Sequence, residues 1–248
     1  MKRAALLTLF AGMLTVISFG IMSLQSGGTL RPAAYPNPHG FTSAIIWFEL
    51  ADSADEIFAN LGPADSDIGK DLRIRMNRLH KYDFIFMVCY TSLFASIFYY
   101  LYRAMRSTGA ARVIDPVILF SMLVCAVAML LGDALENKQL LALTGYSAVE
   151  SVPDTIISSL KEWTTLKWGM IFFSCAVASI QYARYFTWRL PGIFFILLYA
   201  LTSLIGFSAL ILNGYRHWIE YTNSMLAIAW MFSLGHAGVL YFSRKRKR

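Results

Sequence analysis

Charge is scarce in this chain, and so are cysteine and the familiar catalytic spacings. Charged residues make up 15% of 248 positions while 57% are hydrophobic, where a soluble domain carries about 25% charge. With a mean hydropathy of +0.52, this composition excludes an ordinary water-soluble fold. Cys89, Cys125 and Cys175 are odd in number, fall in apolar runs and show no CxxC spacing, so neither a disulfide framework nor a zinc site is indicated. HExxH, HxxxH, GxSxG and the P-loop are absent, and His39, His80, His217 and His236 are far apart. The 11 methionines form no sustained Met-x-x-Met pattern, which leaves copper passage without support. No cofactor and no metal ligand set is identified.

What is present is a series of long uncharged runs. They extend from Ala4 to Leu30, Phe84 to Tyr102, Pro116 to Gly132, Trp168 to Ala183, Leu190 to Tyr215 and Tyr221 to Ser243. A helix rises about 1.5 Å per residue and a bilayer core is about 30 Å thick, so roughly 20 apolar residues make a crossing. None of the runs has the period-2 alternation of a barrel wall. The expected fold is all-α, a polytopic integral membrane helix bundle forming a single membrane domain over 1–248. Its six transmembrane helices are placed at about 4–22, 83–103, 116–135, 166–187, 190–213 and 221–243. In the fourth, Lys167 and Arg184 are expected to extend their aliphatic stems toward the interfaces.

Basic residues gather at alternate ends of these spans: Lys2 and Arg3; Arg103, Arg106 and Arg112; Arg184 and Arg189; and the tail Arg244 to Arg248. By the positive-inside rule those ends, and so both termini, are expected in the cytoplasm of a small plasma-membrane protein of prokaryotic type. Asp115 is the only carboxylate on that side. The net charge of +7 does not imply nucleic acid, because the basic residues line membrane boundaries instead of one soluble surface. The lipid bilayer is the expected partner of the tail. The run after Met1-Lys2-Arg3 exceeds a signal-peptide core and lacks a clear cleavage site, so a retained anchor is expected. Ala95 to Tyr99 resembles Ala178 to Tyr182, but the register does not persist, and no internal repeat is assigned.

The largest polar segment lies between the first two spans. After a linker containing Pro32, Pro36, Pro38 and Gly40, apolar residues at Trp47, Leu50, Ala54, Ile57, Phe58 and Leu61 recur at helical spacing. This predicts an amphipathic helix over 42–61, stopped by Gly62-Pro63, with Glu49, Asp52 and Glu56 on its polar side. A second helix is predicted from the capping candidates Asp65, Ser66 and Asp67, running unbroken into the second span. Its Lys70, Arg73, Arg75 and Arg78 either pair with the acidic first helix or form a solvated face. Together these helices make an outer amphipathic cap at about 42–81. Pro153-Asp154, followed by Ile156, Ile157, Leu160 and Trp163, predicts one more short interfacial helix.

The sharpest chemical feature is Gly132-Asp133-Ala134-Leu135-Glu136-Asn137-Lys138. Asp133, Glu136 and Asn137 stand at i, i+3 and i+4, so they project from one helix face. Topology places Asp83, Lys167 and the group Arg216, His217, Glu220 and Asn223 near the same depth. Asp133 and Glu136 are expected to be partly buried and paired with Lys167 or Lys138. Asp133, Glu136, Asn137, Lys167 and Asp83 are the predicted ligand-binding residues of an outward-facing polar pocket that binds or moves a small solute, ion or lipid headgroup. An enzyme acting on lipid at the outer leaflet, and an assembly subunit that binds a membrane protein partner, are the alternatives. His236 is expected to hydrogen-bond to a neighbouring helix, and aromatic residues at span ends to form an interfacial belt.

Overall fold

Helix boundaries fall where the sequence supplies caps. In the computed structural model, which describes residues 1–28, 30–34, 40–186, 190–212 and 214–243, α1 spans Lys2–Gln25, α2 Ala44–Glu49, α3 Ala54–Leu61 and α4 Asp67–Thr108. They are followed by α5 Asp115–Leu143, a 3-10 turn at Val149–Ser151, α6 Asp154–Phe186, α7 Leu190–Ile211 and α8 Trp218–Phe242. No strand occurs among the described residues. The hydroxyls of Ser43, Ser53 and Ser66 accept the N–H groups of Ile46, Glu56 and Gly69. Each satisfies a donor that the first helical turn leaves without a partner. Gly109 ends α4 in the left-handed conformation at φ 76°, which costs glycine nothing.

The predicted helix over 42–61 is two helices. Leu50 terminates α2, and Ser53, in extended backbone at φ −149°, starts α3. The break is stabilised because the carbonyls it frees find partners: Glu49 O accepts from Thr164 Oγ1 and Leu50 O from Arg216 Nη1, both at 3.1 Å. The short interfacial helix predicted near 156–163 is not separate, since α6 runs unbroken from Asp154 to Phe186. Arg73 and Arg75 reach backbone carbonyls. Arg73 donates to Gly62 O at 2.8 Å with its guanidinium over the Phe58 ring, and Arg75 donates to Ser26 O and Gly27 O. The connection predicted from Trp188 to Gly192, the tail 244–248, His39, Pro36 and Pro38 fall wholly or partly outside the described residues.

The six long helices form a closed ring in which each packs on the next, α1 against α4, then α5, α6, α7, α8 and back to α1. Neighbours run antiparallel. Thr8 of α1 meets Ser96 of α4, Tyr90 meets Asp133, Thr164 meets Glu136, Ser179 meets Ile196, Tyr199 meets Ser233, and Gly12 faces Leu234. The start of α1 and the end of α8 therefore lie at the same end of the ring. α1 turns a stripe of small residues inward (Ala4, Ala5, Thr8, Ala11, Gly12, Thr15) and leaves Leu6, Leu7, Phe10, Met13, Val16 and Ile17 exposed. Large apolar side chains outside and small ones within is the pattern of helices packed in lipid.

Five helices are long and apolar enough to cross a membrane: α1, α4, α5, the part of α7 over Gly192–Ile211, and α8. α6, expected to cross at 166–187, is not among them. Its polar residues Thr164, Lys167, Ser174, Ser179 and Gln181 lower its hydropathy, and all five are buried within the protein.

Two apolar cores result. One fills the ring from Ala4 and Ala237 to Met87, Met129 and Trp168. At about 1.5 Å per residue, the 42, 29 and 33 residues of α4, α5 and α6 measure about 63, 44 and 50 Å, more than a bilayer core requires. Their extra turns carry Leu72, Met76, Leu79, Leu140, Leu143 and Leu160, which with Phe48, Ile57 and Leu61 of α2 and α3 make the second core.

Gly132 lies against the backbone of α6 near the seam between these cores. A Cβ there would stand 3.2 Å from Lys167 N and 3.3 Å from Trp163 O, backbone atoms that cannot swing aside. Gly132→Val is expected to lower stability by about 1–3 kcal/mol. Gly169→Ala on α6, where nothing lies within 4 Å, is expected to be near neutral. Thermal unfolding of the detergent-solubilised protein checks both.

Candidate functional site

A layer of charge separates the two cores. Along α5, Met129 belongs to the ring core and Leu140 to the second core, with Asp133, Glu136 and Asn137 between them. On α6, Leu160 and Trp168 stand on opposite sides of Thr164 and Lys167. α2 crosses the seam, placing Trp47 in one core and Phe48 in the other and directing its last residue, Glu49, into the charged layer.

Lys167 is the hub. Its Nζ lies 2.8 Å from Glu49 Oε2 and 3.4 Å from Asp133 Oδ1, and it also pairs with Glu136 Oε2. It stands 5.2 Å from the centre of the Trp168 ring, a cation–π contact. Lys167 is 5% exposed, Asp133 4% and Glu136 0%. The expected interfacial extension of Lys167 is thus replaced by burial, because three carboxylates converge where its stem ends. Lys138, the other cation considered for Asp133 and Glu136, is exposed. Asp133 Oδ2 accepts from Tyr90 Oη at 2.7 Å, and Glu136 Oε1 from Thr164 Oγ1 at 2.7 Å. A branch of the layer runs through Asn137, whose Nδ2 donates to Asp83 Oδ2 at 2.5 Å while its Oδ1 meets His80 Nδ1 at 2.9 Å.

The five predicted residues form two neighbouring groups in this layer, Asp133, Glu136 and Lys167 around the ammonium and Asp83 with Asn137 beside them. Glu49, Tyr90 and Thr164 join the first group and His80 the second, and none of the four is among the predicted residues. Tyr90, His80 and Thr164 are isolated polar residues on long helices, with no spacing to mark them. The sequence places Glu49 on the polar side of a single long helix. With α2 ending at Glu49, the residue instead lies above the buried Ile46. An acid directly after Ile45-Ile46-Trp47-Phe48 is the one signal that could have marked it.

Arg216, His217, Glu220 and Asn223 do not join the network. Arg216 pairs with Asp52 at 2.6 Å, and Glu220 accepts from Thr42 N, Thr42 Oγ1 and Ser43 N. These contacts tie both ends of α2 to the start of α8. Asn223 is exposed, and His217 packs edge-on to Phe41. Burial opposes ionisation of Asp52, but Lys161 and Arg216 overcome it and hold its carboxyl below the usual range. At Glu49 the balance is reversed: burial outweighs Lys167 and raises the carboxyl above its ordinary value.

At the other end of the ring, Arg184 forks onto Asp115 and also donates to Gln181, while Asp115 accepts from Arg112 N. Between the two ends, Ser233 of α8 bonds Tyr182 and Tyr199 at 2.8 and 2.9 Å, and His236 bonds Tyr100 of α4. A cleft of about 680 Å³ lies beside the charged layer and is lined by Asp52, Asp55, Glu150, Asp154, Ile157 and Lys161 among others. The predicted pocket residues do not line it.

Three carboxylates on one ammonium leave the layer short of positive charge. Glu49 Oε2 and Asp133 Oδ1 touch the same Nζ, so they stand at most about 6 Å apart; at an effective dielectric near 20, two such anions repel by about 3 kcal/mol. Such a layer can take up protons. Among the described residues, no three or more His, Cys, Asp or Glu side chains stand in a metal-holding arrangement. Comparison with protein-family models, with curated proteins and with solved structures found no match.

Lys167→Met strands the buried carboxylates of Asp133 and Glu136 and the partly buried one of Glu49, and is expected to cost about 3–5 kcal/mol, read from denaturant unfolding in detergent. Asp52→Asn is expected to cost at most about 1 kcal/mol at neutral pH, because its pairs are partly exposed and screened. Since the folded carboxyl titrates below its unfolded value, that difference should persist above the ordinary carboxylate range and vanish as pH falls through the folded value. Paired melting curves across acid pH check it.

Proposed function

We propose that this is a multi-pass membrane protein that binds or moves a small solute, ion or lipid headgroup at the charged layer. The observation that carries this reading is one buried lysine shared by three carboxylates at the edge of the apolar spans. Ionisable groups at such depth are expensive, and those retained there line functional sites. Glu49 comes from the short α2 while Asp133, Glu136 and Lys167 come from long helices, so displacement of α2 would open the layer.

In this reading α6 is the sixth crossing. From Lys167 to Arg184 it covers about 25 Å, with one charged cluster near each end, and its low hydropathy reflects polar residues turned into the ring. The Asp115 end then faces the cytoplasm of a plasma membrane with both chain ends, as the alternating basic residues require. α2 and α3 serve as the outer cap.

The acidic cleft at Asp52, Asp55, Glu150 and Asp154 favours a second reading. An assembly subunit would use it to hold a basic segment of a partner protein.

Native mass spectrometry of the gently solubilised protein, compared with a folded Asp133→Asn, Glu136→Gln double variant, separates the two. A small molecule or lipid bound to the wild type and lost in the variant is the expected result. No bound species that differs, with a stoichiometric protein present in both, would sink the first reading and favour the second.

A further inference from the structure

Lys167 Nζ occupies the point on which Glu49, Asp133 and Glu136 converge. A metal ion or a solute ammonium would need that same point, so the remaining negative charge must be met by something smaller. Asp133 is provided for as an anion, with one oxygen on Lys167 and the other accepting from Tyr90. Glu49 and Glu136 share the other side of the ammonium, each through Oε2. Thr164 joins them further, donating its hydroxyl within reach of both Glu136 Oε1 and the Glu49 carbonyl.

We propose that Glu49 and Glu136 share one exchangeable proton, and that this proton holds α2 over the charged layer. The inference rests on the reading of the layer as the binding site and names the proton as its ligand. The pair is faced by Lys167 and Thr164 from α6 and by Asp133 from α5. From α4, Asp83, Tyr90 and His80 approach through Asp133 and Asn137. From the start of α8, Arg216 reaches the backbone at Leu50 and the Asp52 carboxylate beyond it. Among the described residues, Lys167 is the only cation paired directly with the two glutamates. Once the proton leaves, two anions face one ammonium that Asp133 already shares, and α2, only six residues long, is the shortest of the elements that carry these charges.

The sign follows from linkage. Burial raises the Glu49 carboxyl, so the folded state binds more protons than the unfolded chain above the ordinary carboxylate range. The stability this contributes is lost as pH rises through the folded value.

The test is infrared titration of the full-length protein in detergent, following the C=O stretch of protonated carboxylic acid, with wild type, Glu49→Gln and Glu136→Gln. A band at neutral pH that shifts in deuterium oxide, disappears in either variant and is indifferent to sodium or potassium is the expected result. Absence of the band overturns the proposal. So does a band unchanged in both variants, which would place the proton elsewhere, and so does a band that sodium or potassium removes, which would make the ligand a metal cation. In parallel, hydrogen exchange of the 44–49 amides, corrected for the intrinsic pH dependence, should quicken at least tenfold on going to alkaline pH in wild type. It should stay flat in Glu49→Gln, which imitates the protonated acid. Equal behaviour of the two would overturn the role assigned to α2. A protonated pair without a bound solute or lipid would leave this inference standing and narrow the proposed function to the proton alone; a bound solute or lipid without a protonated pair would overturn this inference and leave the proposed function standing.

Discussion

The attraction of one ammonium for three carboxylates organises this molecule. Lys167 joins α6 to α5 through Asp133 and Glu136, and to α2 through Glu49; Asp133 and Glu136 each accept a further bond, from Tyr90 and Thr164. Removing charges from water is costly unless they are paired and hydrogen-bonded. The layer meets that cost by converging three carboxylates on one ammonium with hydroxyl donors beside them, and Gly132 lets α5 lie close against the α6 backbone.

The rest of the architecture can be read outward from this layer. Below it, a ring of antiparallel helices closes α8 onto α1 and packs small side chains inward while large apolar ones face out. Above it, α4, α5 and α6 continue past the length a bilayer needs, and their additional turns would expose leucine and methionine to water. α2 and α3 cover them. The two short helices are too brief to be stable alone, so they depend on this second core and on the ties from Arg216 and Glu220 to the start of α8. Glu49 is thereby held by tertiary contacts at both ends of its helix, which couples the charged layer to the position of α8.

Legibility varied with the range of the interaction. Asp133, Glu136 and Asn137 could be placed on one face because helical spacing dictates it, and Asp83 and Lys167 were brought to the same depth by counting residues along alternating spans. Glu49 could not be found in this way, since its direction depends on a break at Leu50 to Ser53 whose stabilising partners, Thr164 and Arg216, lie more than a hundred positions away. Continuity of α4 from Asp67 was legible because nothing interrupts its periodicity. Continuity of α6 from Asp154 was not, because its polar residues weaken the apolar signal that they satisfy only once inside the ring.

Composition and local pattern determined, without any structure, that the chain is helical, that its apolar runs suit a bilayer, and that helix boundaries fall at Gly62-Pro63, near Ser66 and at Asp115-Pro116. Those are consequences of hydrophobicity, backbone dihedral preference and period, all of which act within a few residues. Tertiary structure alone decided that the helices close into a ring, that Arg73 and Arg75 hold carbonyls, and that Lys167 is buried among three acids instead of reaching for water. Electrostatic and hydrogen-bond partners are chosen by proximity in space, and a charge in a sequence does not reveal which distant residue will neutralise it.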